Sequence, residues 1–169
     1  GDILYGESIY TSRFEIFGEY KFNSRFSFSF SFNDHNQNSF YGLIPFNADQ
    51  TVGFGQFFWD KKIKKHDILF GLSYRYTYYD DDTTATFDEL LQLNRETISH
   101  LPGIFIQDEI KLNSQNTLLL GLRYDYNSIY GNIITPRFNY KISNEDRTKI
   151  FRLSIGSGYR VTQVFTEDH

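Results

Sequence analysis

The 169 residues carry 17 basic and 21 acidic side chains, a net charge of −4, four His and no Cys or Met. That is enough chain for one domain with a core, and it excludes disulfides, thiol chemistry and an electrostatic case for a nucleic-acid partner. Aromatics reach 19%, with 18 Phe and 13 Tyr, against a mean hydropathy of −0.47.

No 18-residue apolar run offers a transmembrane helix. Membrane-crossing strands need only about 10 residues of alternation and escape that test. The chain opens "GDILYGESIY", with neither an initiator Met nor a signal peptide, which fits a processed exported protein or an excerpt of a longer one.

The first strand is expected from about Thr11 to Phe22. Phe14, Ile16, Gly18, Tyr20 and Phe22 share one parity; Arg13, Glu15, Glu19 and Lys21 share the other, with Phe17 as the exception. A tight turn at Asn23 and Ser24 leads into "RFSFSFSFN", where Phe26, Phe28, Phe30 and Phe32 alternate with Ser. So strict a two-residue period marks a strand with one aromatic face, and the two strands read as a hairpin. The polar stretch "DHNQNSFYGLIPFNADQ" has no sustained period and reads as a long loop.

A third strand, about Thr51 to Trp59, has Val52, Phe54 and Phe58 on one face but Phe57 and Trp59 on the other, so a bulge is expected. After the short turn "DKKIKKHD", a fourth strand runs to about Tyr79. Ile68, Phe70, Leu72, Tyr74, Tyr76 and Tyr78 oppose Gly71, Ser73, Arg75 and Thr77. A second long loop follows, from Asp80 to His100.

In the fifth strand Ile104, Ile106 and Ile110 oppose Gln107, Glu109 and Lys111, and Asp108 breaks the pattern near the turn "NSQN". The sixth sets Leu118, Leu120, Leu122, Tyr124 and Tyr126 against Gly121, Arg123 and Asp125. The seventh sets Phe138, Tyr140 and Ile142 against Thr135, Arg137, Asn139 and Lys141. After "SNEDRT", the eighth sets Phe151, Leu153 and Ile155 against Arg152, Ser154, Gly156 and Gly158.

Connections after the odd strands are short and those after the even strands longer. All-β, antiparallel and up-and-down, with turns at one end and loops at the other, this pattern points to a transmembrane β-barrel of the outer-membrane type. A soluble lipocalin-like barrel, its apolar face turned inward, is the alternative. Two features favour the membrane: Tyr residues gather at the loop-side strand ends (74, 76, 78, 79; 124, 126, 130), where an interfacial girdle lies, and the polar face mixes Gly and Ser with Arg and Glu. Turning the first strand over would put Arg13, Glu15, Glu19 and Lys21 into lipid, where Arg or Lys costs roughly 2–4 kcal/mol at mid-depth. The aromatic face must therefore meet lipid.

Eight strands can close alone, with a structural or adhesive role, or belong to a larger barrel. The polar ending "VTQVFTEDH" reads as a chain cut in mid-passage. Four motifs carry a family resemblance: "QDE" (Gln107, Asp108, Glu109), "LGLRYDY" (Leu120 to Tyr126), "TPR" (Thr135 to Arg137) and "GYRVTQVFTE" (Gly158 to Glu167). The last is similar to a Phe-Arg-x-Pro…Phe-x-Glu signature, with Arg160, Phe165 and Glu167 in place, Tyr159 for its first Phe and Thr162 for its Pro. The segment from 101 to 168 resembles the middle of the barrel of a TonB-dependent outer-membrane receptor, of the kind abundant in Bacteroidetes; the match is looser before it.

The resemblance implies a 22-stranded barrel in a Gram-negative outer membrane, filled by a plug domain that this segment lacks. It implies TonB as partner, and uptake of an iron chelate or another scarce nutrient. By the same resemblance Arg160 would be a plug-contacting lumen residue with Glu167 nearby.

Candidate lumen-side, plug-facing charges are Arg13, Glu15, Arg75, Glu109, Arg123, Asp125, Arg137, Arg152 and Arg160; their plainer role is structural ion pairing within the wall. In the expected loops His35, Asp80, Asp81, Asp82, Asp88, Glu89 and His100 offer ligand types for a metal or its chelate, without a recognisable spacing. Tyr41, Phe46 and Phe87 could stack on an incoming ligand. No Gly-x-Ser-x-Gly, phosphate loop or His-Glu-x-x-His occurs, so neither an enzyme nor a resident cofactor is expected.

Overall fold

A computed structural model describes residues 6–84 and 86–159. The described backbone contains only strands, turns and bends: β1 (Glu7–Lys21), β2 (Phe26–Tyr41), β3 (Ile44–Ile63), β4 (His66–Asp81), β5 (Phe87–Asp88), β6 (Leu93–Asn94), β7 (Thr97–Lys111), β8 (Asn116–Asn127), β9 (Gly131–Ser143) and β10 (Ile150–Gly156). Eight of them form one meandering sheet, ordered β1-β2-β3-β4-β7-β8-β9-β10, while β5 and β6 make a small hairpin in the β4–β7 connection. Every pairing is antiparallel. Among the described residues β1 and β10 are edges, so the sheet is open.

Several turns follow from local side-chain chemistry. The Asn23 carboxamide oxygen accepts from the Arg25 and Phe26 amides (2.8 and 3.1 Å), and Asn113 does the same for Gln115 and Asn116 (2.9 and 2.8 Å). These are Asx turns, in which asparagine mimics a backbone turn. Gly42, at the β2–β3 reversal, has φ of 66°, a value glycine reaches without a Cβ penalty.

Register fixes the faces. Phe28 lies opposite Tyr20 and Phe57, and Phe26 opposite Trp59. Leu72 lies opposite Ile104, which lies opposite Tyr124. One face thus carries an apolar band running from β1 to β10. The other carries Ser27, Ser29 and Ser31, then Ser73, Arg75, Arg123, Asp125 and Arg137. Burial runs opposite to that of a soluble protein. Among the described residues the buried ones are Ser39, Ala48, Gly71, Ser73, Tyr79, Asp81, Asp125 and Asn127, all on the polar face, whereas Phe14, Ile16, Phe28, Phe30, Leu72, Ile104, Ile106 and Leu122 are exposed. Crowding marks the polar face as the concave, inner side, and the bared aromatic face requires an apolar solvent. This overturns the lipocalin-like alternative.

Three sequence expectations are corrected. The polar stretch after Asn33 is no loop: β2 runs to Tyr41 and β3 starts at Ile44, joined by two residues. Polar residues fill it because strands of 16 and 20 residues exceed the 9–11 needed to cross a membrane, so their far halves stand in water. No bulge interrupts β3, whose pairing with β2 and β4 is continuous. Phe57 and Trp59 join the outer face, while Phe54 and Phe58 point inward. Finally, Tyr79 leaves the tyrosine girdle; it is buried on the inner face and donates to Asp81 (2.7 Å).

Candidate functional site: the inner wall and the outer rim

All eight described lumen candidates, Arg13, Glu15, Arg75, Glu109, Arg123, Asp125, Arg137 and Arg152, share the inner face. Arg160, Phe165 and Glu167 lie outside the described residues. The structure brings together two pairs. Arg13 bonds Glu15 at 3.2 Å on the exposed part of β1, a pairing worth little in water.

Arg123 and Asp125 form a tighter unit. Nε and Nη2 of Arg123 each donate to the carboxylate at 2.7 Å, and Nη2 also donates to Ser73 Oγ at 2.8 Å. Asp125 is 0% exposed. Glycine makes the room: a Cβ on Gly103 would overlap Asp125 and crowd Ser73 and Arg123, and one on Gly71 would overlap the Phe105 ring. The knot therefore ties β4, β7 and β8 together.

Around it lies an aromatic floor that the sequence reading missed. Phe105 meets Phe58 edge-on with centroids 5.8 Å apart, and the Arg123 guanidinium sits 5.5 Å above Phe105. Arg75 covers Phe54 at 5.5 Å. Cation–π contacts of this kind contribute roughly 0.5–2 kcal/mol each. The available signal was parity, since Phe105 shares the parity of Gln107 and Glu109, opposite Gly71.

The loop-ligand candidates are dispersed. His35 and Tyr41 belong to β2, Asp80 and Asp81 to β4, and His100 to β7. His100 faces outward: its Nδ1 lies 2.8 Å from Tyr74 Oη, and its ring packs on Tyr74 and Tyr76. It belongs to the aromatic girdle. Asp82, Asp88 and Glu89 stay in the β4–β7 connection, where Asp82 accepts from the Asn47 amide (2.9 Å) and carboxamide (2.8 Å). Among the described residues no three His or acidic side chains converge on a metal position.

Asp81 instead builds the base of the long loop. Its carboxylate accepts from Tyr79 (2.7 Å), from the Thr83 amide (3.0 Å) and hydroxyl (2.9 Å), and from Thr86. Asn94 closes the loop from the far side onto the carbonyls of Asp81 and Thr83, both at 2.8 Å. Asp81 stands three residues beyond Tyr78, the last outward-facing tyrosine of β4, roughly 10 Å farther along the strand at about 3.4 Å per residue, on the loop side of the girdle. Burial alone would raise its pKa, but the hydrogen bonds from Thr86, Tyr79 and Thr83 outweigh it and hold the carboxyl below the ordinary aspartate range. Above this base the loop bares Leu90, at 95% exposure, with Leu91 and Leu93.

A family model described as TonB dependent receptor-like, beta-barrel, matches residues 5–166. The chain belongs to that family. Family membership agrees with the inverted burial and places the chain in the outer membrane of a Gram-negative bacterium. Solved structures of family barrels share its fold. The siderophore receptor PirA of Pseudomonas aeruginosa superposes with a TM-score of 0.62 at 13% identity, over 83% of this chain and 26% of that one. PirA of Acinetobacter baumannii gives 0.62 at 14%, over 83% and 24%. A mutant of the ferric enterobactin receptor PfeA of Pseudomonas aeruginosa gives 0.58 at 14%, over 83% and 24%. The chain thus spans about a quarter of these receptors. No curated protein matches it in sequence.

Proposed function

We propose that this chain is a wall segment of a TonB-dependent receptor that imports an iron chelate or a similarly scarce nutrient, without catalysing a reaction. The observation that carries the reading is the inversion of faces, aromatic outside and polar inside, in a chain of this family. A wall built this way separates lipid from a polar lumen. The open edges at β1 and β10 fit a larger, 22-stranded barrel rather than closure at eight strands. In that setting Arg75, Arg123, Arg137 and Arg152 line the lumen and face a plug domain, and TonB supplies the energy for uptake. The siderophore receptors among its structural neighbours support an iron chelate as cargo.

The test is growth under iron limitation. A strain lacking the full-length gene is expected to lose uptake of a radiolabelled ferric siderophore, as is a strain lacking TonB. Unchanged uptake of every ferric chelate offered, with loss of another nutrient, would reject the iron reading and keep the transporter. No uptake defect for any nutrient would reject transport.

A further inference from the structure

On the outer face of β7 to β10 lies a furrow of about 740 Å³, its outward-facing walls formed by Ile106, Leu120, Leu122, Pro136, Phe138 and Ile155. The charged residues lining it are Asp108 and Arg137, and of these only Asp108 belongs to the outer face, Arg137 sharing the inner one with Gly121. On the surface of the sheet Asp108 is surrounded by Ile106 and Ile110 along its own strand, Ile68 on β4 and Leu120 on β8. Its single polar neighbour among the described residues is His66, whose Nδ1 lies 2.6 Å from Oδ2; Oδ1 is shielded and accepts no hydrogen bond. The carboxylate is 26% exposed. Its terminal torsion is broad and two-fold, so a half-turn exchanges the two oxygens without moving the backbone.

Depth matters. Asp108 lies three residues before the end of β7, about 10 Å along the strand from the turn at roughly 3.4 Å per residue. At the tilt of such barrels that is about 8 Å of depth, on the turn side of the middle of the band and within reach of a lipid headgroup. A carboxylate there with one oxygen unpartnered, beside a furrow of branched aliphatic and aromatic side chains, complements a molecule with an apolar chain and a cationic hydrogen-bond donor at its head. We infer that the furrow binds a phospholipid with a primary ammonium headgroup, its N–H donating to Asp108 and an acyl chain lying against Leu120, Leu122 and Phe138. The inference depends on the outer face meeting lipid and not on transport.

The full-length protein would be reconstituted in vesicles of equal parts phosphatidylethanolamine, phosphatidylcholine and phosphatidylglycerol, then released and weighed by native mass spectrometry. Phosphatidylcholine keeps the positive charge without an N–H, and phosphatidylglycerol offers hydroxyls without the cation. The wild type is expected to retain phosphatidylethanolamine about fivefold over either competitor, on the order of the 1 kcal/mol that such a ratio represents. Asp108→Asn is expected to abolish that preference, and His66→Leu, which removes the competing partner, to keep or increase it. Equal retention of the three lipids by the wild type, or a preference that survives Asp108→Asn in folded, heat-modifiable protein, would overturn the inference.

Discussion

Gly71 and Gly103 show how a single missing Cβ positions a charge. Phe105 fills the space above Gly71, and the Arg123–Asp125 pair fills the space above Gly103. Gly71→Ala should therefore overpack the inner face and destabilise the barrel by roughly 1–3 kcal/mol. Phe105→Leu in the same chain should recover most of that loss, because it withdraws the ring that the new methyl would strike. Urea titration in detergent, followed by heat-modifiable migration, measures both; additive losses would mean the ring is not the cause. Removing the buried member of the Arg123–Asp125 pair has a similar cost. Asp125→Ala leaves the Arg123 guanidinium, 31% exposed, with Ser73 as a remaining partner and should cost about 1–3 kcal/mol, whereas Arg13→Ala, which breaks an exposed pair, should change stability by less than about 1 kcal/mol.

At the scale of elements the long β4–β7 loop is a built structure, and Asp81 is its keystone. Because its pKa is lowered in the folded protein, its contribution is complete above the unfolded value and disappears as pH falls through the folded one. Protection of the Arg95 amide, which donates to Thr86 at 2.9 Å, should hold at neutral pH and fall under acid. Asp81→Asn should lower the neutral value and flatten the dependence. Hydrogen exchange, corrected for intrinsic rates, separates the two. Loss of protection at the same pH in both proteins would remove Asp81 from the account.

This loop also shows what the chain made legible. Strands inside the membrane announce themselves by alternation: β1, the Phe stretch of β2, β4, β7 and β8 have the faces that their parity indicates. The far halves of β2 and β3 do not, because they extend past the lipid and no apolar period survives. His35 and Tyr41 therefore read as loop residues although they belong to the β2–β3 hairpin. In β3 the difficulty was the reverse. Phe54 and Phe58 are apolar on the polar side because Arg75 and Phe105 cover them, a tertiary reason that no local period contains.

For the molecule as a whole, the decisive quantity is the free energy of turning a charge toward either face. Phe30 and Ser29 are adjacent in β2 but point to opposite sides, Phe30 beside Gly18 and Gly55, Ser29 between Glu19 and Gln56. Phe30 lies four residues from the turn end of its strand, roughly 14 Å along it at 3.4 Å per residue and so near the middle of an apolar band about 25 Å tall at the tilt of such barrels. Phe30→Arg should then cost on the order of 2–4 kcal/mol, the expense of a cation in hydrocarbon. Ser29→Arg gains Glu19 as a neighbour and should stay within about 0.5 kcal/mol of the wild type. Folding the two full-length variants into lipid vesicles and titrating with urea compares them directly. A large penalty at Phe30 alone requires that the phenylalanine face meets lipid. A large penalty at Ser29 alone would place lipid on the serine face, and the Arg123–Asp125 knot would then have no lumen to line.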